Sequence, residues 1–162
     1  MISRSQNDLG IILVLVDIRS AHNVGALFRT ADAAGVEKIY LVGYTPAPRD
    51  RFGRPVKEIA KTALGAERIV AWERVKEAGE IISKLKKTNI KIIALEQSEQ
   101  SVDYKTIKLT GSTAIILGNE VVGLPPEILD QCDTIAEIPM RGQKESLNVA
   151  VAAGILLFCL LE

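Results

Sequence analysis

Hydrophobic positions along this chain fall into short unbroken runs separated by stretches of helical spacing. Ile11–Val16 is a continuous run of β-branched and leucine residues, the pattern of a strand buried on both faces. It leads into AHNVGALFRTADAAG, where Val24, Leu27, Phe28, Ala31 and Ala34 recur at helical spacing and Gly35 stands where a C-cap belongs. Lys38–Val42 predicts a second strand. Residues 43–55, with Pro46, Pro48 and Pro55, predict a loop, and residues 56–64 a short helix. Residues 68–72 predict a short strand. Residues 73–87 predict an amphipathic helix whose stripe is Val75, Ala78, Ile81, Ile82 and Leu85. Lys91–Leu95 predicts a strand, and residues 98–111 an exposed connection. Thr113–Leu117, a helical turn after Pro125-Pro126, a strand over residues 134–138 and a long last helix complete the pattern. Strands alternating with helices predict an α/β fold: a mostly parallel sheet with helices on both faces.

The last third of the chain concentrates the candidate chemistry. The apolar run 114–117 breaks into Gly118-Asn119-Glu120, and residues 135–140 run into the loop 141–145, which opens Ser146-Leu147-Asn148. Open α/β sheets bind ligands at the carboxyl ends of their strands. Three predicted strand ends, Leu95-Glu96-Gln97, Gly118-Asn119-Glu120 and Ile138-Pro139-Met140, form adjacent loops that can offer backbone groups to a small ligand such as an adenine. Gly118 and Gly123 are read as ligand-facing backbone. No GxGxxG follows the first strand and no GK[ST] loop occurs, which disfavours an ordinary dinucleotide or P-loop site. Ser146 is the natural N-cap of the last helix, which puts Asn148 in its first turn, facing the loop. Arg29 projects from the apolar-periodic first helix between Phe28 and Ala31. A buried guanidinium there needs an acidic or phosphate partner, with Glu120 and Asp17 as candidates. Asn23 precedes it by six residues, about 9 Å along a helix axis.

Length and charge narrow the picture. The 162 residues predict a single domain, 1–162, with residues 1–10 a flexible or loosely packed N-terminal segment. Such a chain can bury a core without disulfide or metal staples. The formal charge of zero leaves no overall footprint for a polyanion, so a nucleic-acid surface must be a local patch. Arg49, Arg51, Arg54, Lys57 and Lys61 form one basic group, opposed by Asp50 and Glu58. Lys84, Lys86, Lys87 and Lys91 read more simply as a solvated face. Cys132 and Cys159 lack CxxC spacing and read as buried, reduced thiols of a cytoplasmic protein. His22 has no second ligand-type residue nearby, so no metal is expected. The apolar tail 147–161 falls short of the roughly 20 residues that cross a bilayer, so no membrane association is expected.

Three segments carry a family resemblance. NVGALFRTADAAG (residues 23–35), LGNEVVGLP (117–125) and IPMRGQKESLNVAVAAGI (138–155) resemble, in order, the three motifs of SPOUT-class RNA methyltransferases of the SpoU/TrmH branch. The resemblance covers residues 11–160 and implies a minimal catalytic domain whose C-terminal part forms a deep trefoil knot, a rare exception to the rule that chains are unknotted. It implies S-adenosylmethionine as cofactor, held by Leu95, Glu96, Gln97, Gly118, Asn119, Ile138, Met140, Ser146 and Leu147. It implies a homodimer with the active site at the interface, acting on structured RNA (tRNA or rRNA, not DNA) at a ribose 2′-hydroxyl. Arg29 would stabilise the developing alkoxide, with proton loss to a phosphate, a water or Glu120. Asn23 would orient Arg29 or the ribose, Glu120 would fix Arg29 and RNA groups, and Ser146 and Asn148 would hold the catalytic loop. Arg19, His22, Arg49, Arg51, Arg54 and Arg141 would contact RNA. Larger relatives often carry a further RNA-binding domain or helical extensions, so RNA selection here is expected from the catalytic dimer or a partner protein. Two other readings stay open: a non-catalytic RNA-binding or assembly factor that keeps the knotted fold, and a base methyltransferase of a sister branch.

Overall fold

The structure is a computed structural model and describes residues 9–162. The expected loose segment at 1–10 lies outside the described residues except for Leu9 and Gly10. Seven strands form one sheet: β1 (Ile11–Val16), β2 (Lys38–Val42), β3 (Ala71–Val75), β4 (Lys91–Leu95), β5 (Val102–Asp103), β6 (Thr113–Leu117) and β7 (Thr134–Glu137). Their order is β3-β2-β1-β6-β4-β7-β5, and every pairing is parallel. All strand carboxyl ends therefore lie along one edge. Leu95 pairs with Leu117 and with Ala136, so β6, β4 and β7 end side by side.

Strand alternation divides the core between the two faces. Ile11, Leu13 and Leu15 of β1 join Ile39, Leu41, Ile93, Ile115 and Leu117 in one cluster. Helices α1 (Ala21–Ala34), α2 (Lys57–Ala63) and α5 (Val149–Leu160) pack there through Phe28, Ile59 and Leu156. Val14, Val16, Ile92, Ala94, Ala114 and Ile116 face the other way, against α3 (Ala78–Lys87) and α4 (Pro126–Leu129). The α/β reading with helices on both faces is borne out. No helix of the described residues is long and apolar enough to cross a membrane.

Local chemistry sets the element ends. The Ser20 hydroxyl caps α1 by accepting from the Asn23 N–H at 3.2 Å, and Gly35 closes the helix in the left-handed region at φ 72°. Helix α1 meets α2 at Gly25, where a Cβ would run into Thr62 Oγ1 and the Ile59 carbonyl. That close approach is the reason for a glycine inside a helix.

Four sequence expectations need correction. The strand expected at 68–72 lies at Ala71–Val75, preceded by a short 3-10 turn at Ala66–Arg68. This edge strand is largely exposed and carries no apolar run to mark it. The helix expected to begin at residue 73 begins at Ala78, because residues 73–75 are spent in that strand. The connection at 98–111 contains β5, a two-residue strand paired with β7. Both cysteines are free but half-buried rather than buried, and burial pushes the Cys132 thiol up to about 11.

Candidate active site

A cleft of about 570 Å³ opens where β4, β6 and β7 end. Its walls come from Leu95, Glu96 and Gln97 after β4, Leu117 to Val121 after β6, and Glu137, Ile138 and Met140 after β7. The loop 141–148 closes it with Glu145, Ser146, Leu147 and Asn148, while Val149 and Ala152 of α5 form the floor and Asn23 of α1 the rim. All the residues expected to hold a cofactor thus line one cavity. Four glutamates, Glu96, Glu120, Glu137 and Glu145, stand among the lining residues and no lysine or arginine does. The cleft is an acidic, partly apolar site.

Hydrogen bonds lace its loops together. The Glu96 carboxylate accepts from the Leu124 N–H at 3.0 Å and the Gln97 N–H at 3.0 Å, tying the β4 loop to the β6 loop. Gln97 Nε2 donates to the Glu145 carbonyl at 2.7 Å, tying the β4 loop to loop 141–148. Asn119 is buried and spends its whole amide on the protein. Its Nδ2 donates to the Asp17 carbonyl and the Tyr44 hydroxyl, both at 2.9 Å, and its Oδ1 accepts from Val121 and Val122. Asp17 itself sits at φ 51°, a left-handed conformation that aspartate tolerates better than most residues, and its Oδ1 accepts from the Tyr44 N–H.

Gly118 and Gly123 both line the cleft, where the sequence reading expected ligand-facing backbone, and their lack of a side chain also permits this lacing. A Cβ on Gly118 would stand 2.7 Å from the Gly123 carbonyl carbon and from Leu124 Cγ. Gly123 is left-handed at φ 68°, and a Cβ there would run into the Glu96 carboxylate.

Three of the five expected catalytic residues form one chain of contacts. Asn148 Nδ2 donates to Asn23 Oδ1 at 3.0 Å, and Asn23 Nδ2 donates to Glu120 Oε1 at 3.1 Å. Glu120 also accepts from the Arg19 N–H at 2.9 Å and the Ser20 N–H at 3.1 Å. The carboxylate therefore sits on the N-terminus of α1, where free N–H groups and the helix dipole favour a negative charge. Burial pushes its pKa up, but the bonds from Arg19, Asn23 and Ser20 and its own backbone N–H outweigh this and hold it below the ordinary range. Glu120 is thus a poor proton acceptor, and its partners are not Arg29, contrary to expectation.

Asn148, not Ser146, is the N-cap of α5. Its Oδ1 accepts from the Ala150 N–H at 2.9 Å and the Val151 N–H at 3.3 Å. Ser146 lies exposed in the loop at the cleft wall.

Arg29 departs most from expectation. It is exposed, and among the described residues it has no ion pair. It lies on the outer side of α1 beside Ala26, Ala33, Lys61, Leu64 and Phe158, apart from the cleft. The helical spacing that suggested burial belongs to its neighbours Phe28 and Ala31. Of the expected RNA contacts, Arg19 and His22 are exposed at the start of α1, next to the Glu120 network, and Arg141 is exposed in loop 141–148. Arg49, Arg51 and Arg54 are exposed in the loop after β2. Val121, Glu137 and Glu145 line the cleft without having been singled out in the sequence. Their positions next to the strand ends and to Ser146 were the available signal. Among the described residues, no three His, Cys, Asp or Glu side chains gather as a metal site.

The parallel α/β sheet thus places its cleft at three adjacent strand carboxyl ends, where open α/β sheets bind ligands. The chain belongs to the SpoU rRNA Methylase family, which it matches over residues 10–158. The resemblance read from the three motifs is thereby borne out. The chain is 36% identical to the 23S rRNA (guanosine-2′-O-)-methyltransferase RlmB of Coxiella burnetii, over 91% of this chain and 56% of that protein. It is 33% identical to the tRNA (guanosine(18)-2′-O)-methyltransferase of Escherichia coli strain K12, over 98% of this chain and 65% of that protein. Among solved structures, the AdoMet-bound rRNA methyltransferase from Sinorhizobium meliloti superposes with a TM-score of 0.81 at 32% identity, covering 93% of this chain and 55% of that one. The chain thus spans less than two thirds of the length of these relatives.

Proposed function

We propose that this chain is a single-domain, cytoplasmic, S-adenosylmethionine-dependent RNA methyltransferase that acts on a ribose 2′-hydroxyl in tRNA or rRNA. The observation that carries the reading is the acidic cleft at the β4, β6 and β7 ends, rimmed by the Asn148–Asn23–Glu120 network, in a member of the SpoU rRNA Methylase family. The curated relatives are named as guanosine 2′-O-methyltransferases of rRNA and tRNA.

The cleft fits the cofactor in its chemistry. Its volume lies within the range of small-molecule sites. Leu95, Leu117, Ile138, Met140 and Leu147 offer apolar walls for a purine, and the strand-end backbone offers polar groups for its edge. Glu137 and Glu145 suit a ligand with a sulfonium and an ammonium. In this reading the C-terminal third forms the trefoil knot and thereby fixes the three loops. Bound there, the cofactor supplies an electrophilic methyl carbon on sulfur.

The protein has then to align the hydroxyl, which supplies about 7–11 kcal/mol in well-oriented systems, and to stabilise the alkoxide that develops. Arg29 takes the second role as a permanent cation. Asn23 and Asn148 position the ribose, and Ser146 holds loop 141–148. The proton leaves to water or to an RNA phosphate, since Glu120 is held ionised by the start of α1.

In this reading Arg29 reaches a cleft across a homodimer, since it does not line the cleft of its own chain. Helix α5 is apolar all round, and Val151, Phe158 and Leu161 are about half exposed, the surface of a helix that lacks a cover. Its N-terminus floors the cleft, while Phe158 near its other end stands beside Arg29. Pairing two α5 helices across a two-fold axis perpendicular to them sets them antiparallel. The Phe158 end of one copy, with its Arg29, then meets the cleft end of the other.

Mixed dimers test this arrangement. Arg29→Ala should abolish methyl transfer while keeping affinity for S-adenosylhomocysteine. Asn148→Ala should also be inactive alone. Random reassembly of the two should recover about a quarter of wild-type activity, because half the dimers are mixed and each of these holds one intact site. No recovery from two folded, dimeric variants would contradict the shared site.

A further inference from the structure

Phe52 is 66% exposed, yet the loop that carries it is firmly built. Arg49 and Pro55 pair across its base as an antiparallel bridge. The Asp50 carboxylate accepts from the Phe52 N–H at 2.8 Å and the Arg54 N–H at 3.0 Å, and it pairs with Arg54 Nε at 2.8 Å. Arg49 Nη1 donates to the Gly53 carbonyl at 2.8 Å, and Gly53 turns the chain at φ 77°. The guanidinium carbons of Arg51 and Arg54 stand 4.7 and 4.9 Å from the Phe52 ring centre. Beside the loop lies a second cleft of about 570 Å³, lined by Pro48, Arg49, Pro55, Glu67, Arg68 and Trp72 among others, with Glu67 3.9 Å from Arg68.

An aromatic ring exposed on a pinned loop is available for contact at little ordering cost. Its neighbours decide the class of partner. A protein-docking anchor sits in an apolar, desolvated surround, whereas Phe52 is flanked by guanidinium groups and the adjoining cleft adds Arg49 and Arg68. The cofactor cleft, by contrast, is lined by four glutamates and by no lysine or arginine. Cations for phosphates interleaved with π-faces for bases are the chemistry that recognises single-stranded nucleic acid. A paired base in an A-form helix hides both faces, and only an unpaired one can stack on an aromatic ring or a guanidinium plane.

We propose that residues 49–55, through the Arg51–Phe52–Arg54 stack and the neighbouring Arg49–Arg68–Trp72 cleft, bind an unpaired nucleotide of the RNA by base stacking, at a site separate from the cofactor cleft. The inference rests on the RNA reading given above and adds the state of the RNA at this loop.

The probe is a single-stranded RNA 12-mer carrying one 2-aminopurine, compared with the same strand annealed to its complement. The wild-type chain should bind the single strand more tightly and quench the 2-aminopurine. Phe52→Ala should weaken single-strand binding roughly 5- to 150-fold and abolish the quench, since one base stack is involved. Phe52→Trp should restore both, and duplex affinity should be the same for all three proteins. Single-strand affinity unchanged in Phe52→Ala, with duplex or tRNA binding intact, overturns the stacking site and leaves the RNA reading standing. Failure of the wild type to bind any RNA overturns both. A change in sedimentation mass in Phe52→Ala makes the patch a protein contact and overturns the proposal.

Discussion

Asn148 joins two roles that a pair of substitutions can separate. Its Oδ1 caps α5 through Ala150 and Val151, and its Nδ2 holds Asn23 at 3.0 Å. Asn148→Ala removes both. A lost cap costs about 1 kcal/mol, and the exposed bond to Asn23 adds about 0.5 kcal/mol, the low end for a net hydrogen bond. Asn148→Ser keeps a cap-forming oxygen on a side chain too short to reach Asn23, so it should lose only about 0.5 kcal/mol. For a domain of this size each kcal/mol moves the melting temperature by roughly 2–4 °C. Asn148→Ala should therefore fall about 3–6 °C and Asn148→Ser about 1–2 °C. Calorimetry at one fixed protein concentration, which matters for a dimer, reads the difference. Methyl transfer should be lost in both, because both release Asn23 from its place at the rim. Equal destabilisation by serine and alanine would refute the cap, and full activity in the serine variant would refute the positioning of Asn23.

Two further predictions follow from the same loops. The Glu120 carboxylate has a folded pKa below its ordinary value near 4.5. The stability it adds is therefore fully present above that value and lost as pH falls through the lower, folded one. Acid titration of unfolding should show this loss in the wild type and a smaller one in Glu120→Gln, and identical profiles would remove Glu120 from the account. Gly118→Ala drives a Cβ against Gly123 and Leu124 and should cost about 1–3 kcal/mol as overpacking, together with S-adenosylhomocysteine affinity. Gly142→Ala meets nothing within 4 Å and should change neither the melting temperature nor S-adenosylhomocysteine affinity.

The central strands were legible because each is an unbroken apolar run buried on both faces, as in Ile11–Val16 and Thr113–Leu117. Edge strand β3 was displaced in the reading because half-buried Trp72 and exposed Glu73 and Arg74 carry no such signal. The cofactor half of the site was readable as three strand ends, since parallel pairing brings them to one edge by rule. Its wiring was not. Glu120 reaches Arg19, Ser20 and Asn23 across about a hundred residues, a pairing that no local pattern encodes. Ser146 and Asn148 are both competent caps, and only the start of α5 at Val149 decides between them. Arg29 was placed in the core by the periodicity of its neighbours, although its own side of α1 faces outward.

The central claim is transfer of a methyl group to a ribose oxygen of RNA. It is tested most directly by incubating the chain with methyl-labelled S-adenosylmethionine and separate tRNA and rRNA fractions, then locating the label chemically. A methyl on the 2′-oxygen removes the hydroxyl that attacks the neighbouring phosphodiester in alkali. The account predicts label in alkali-resistant dinucleotides of one RNA fraction, and in a 2′-O-methylnucleoside after enzymatic digestion. Label on a base, or no label in any RNA from a chain that binds the cofactor, would contradict it.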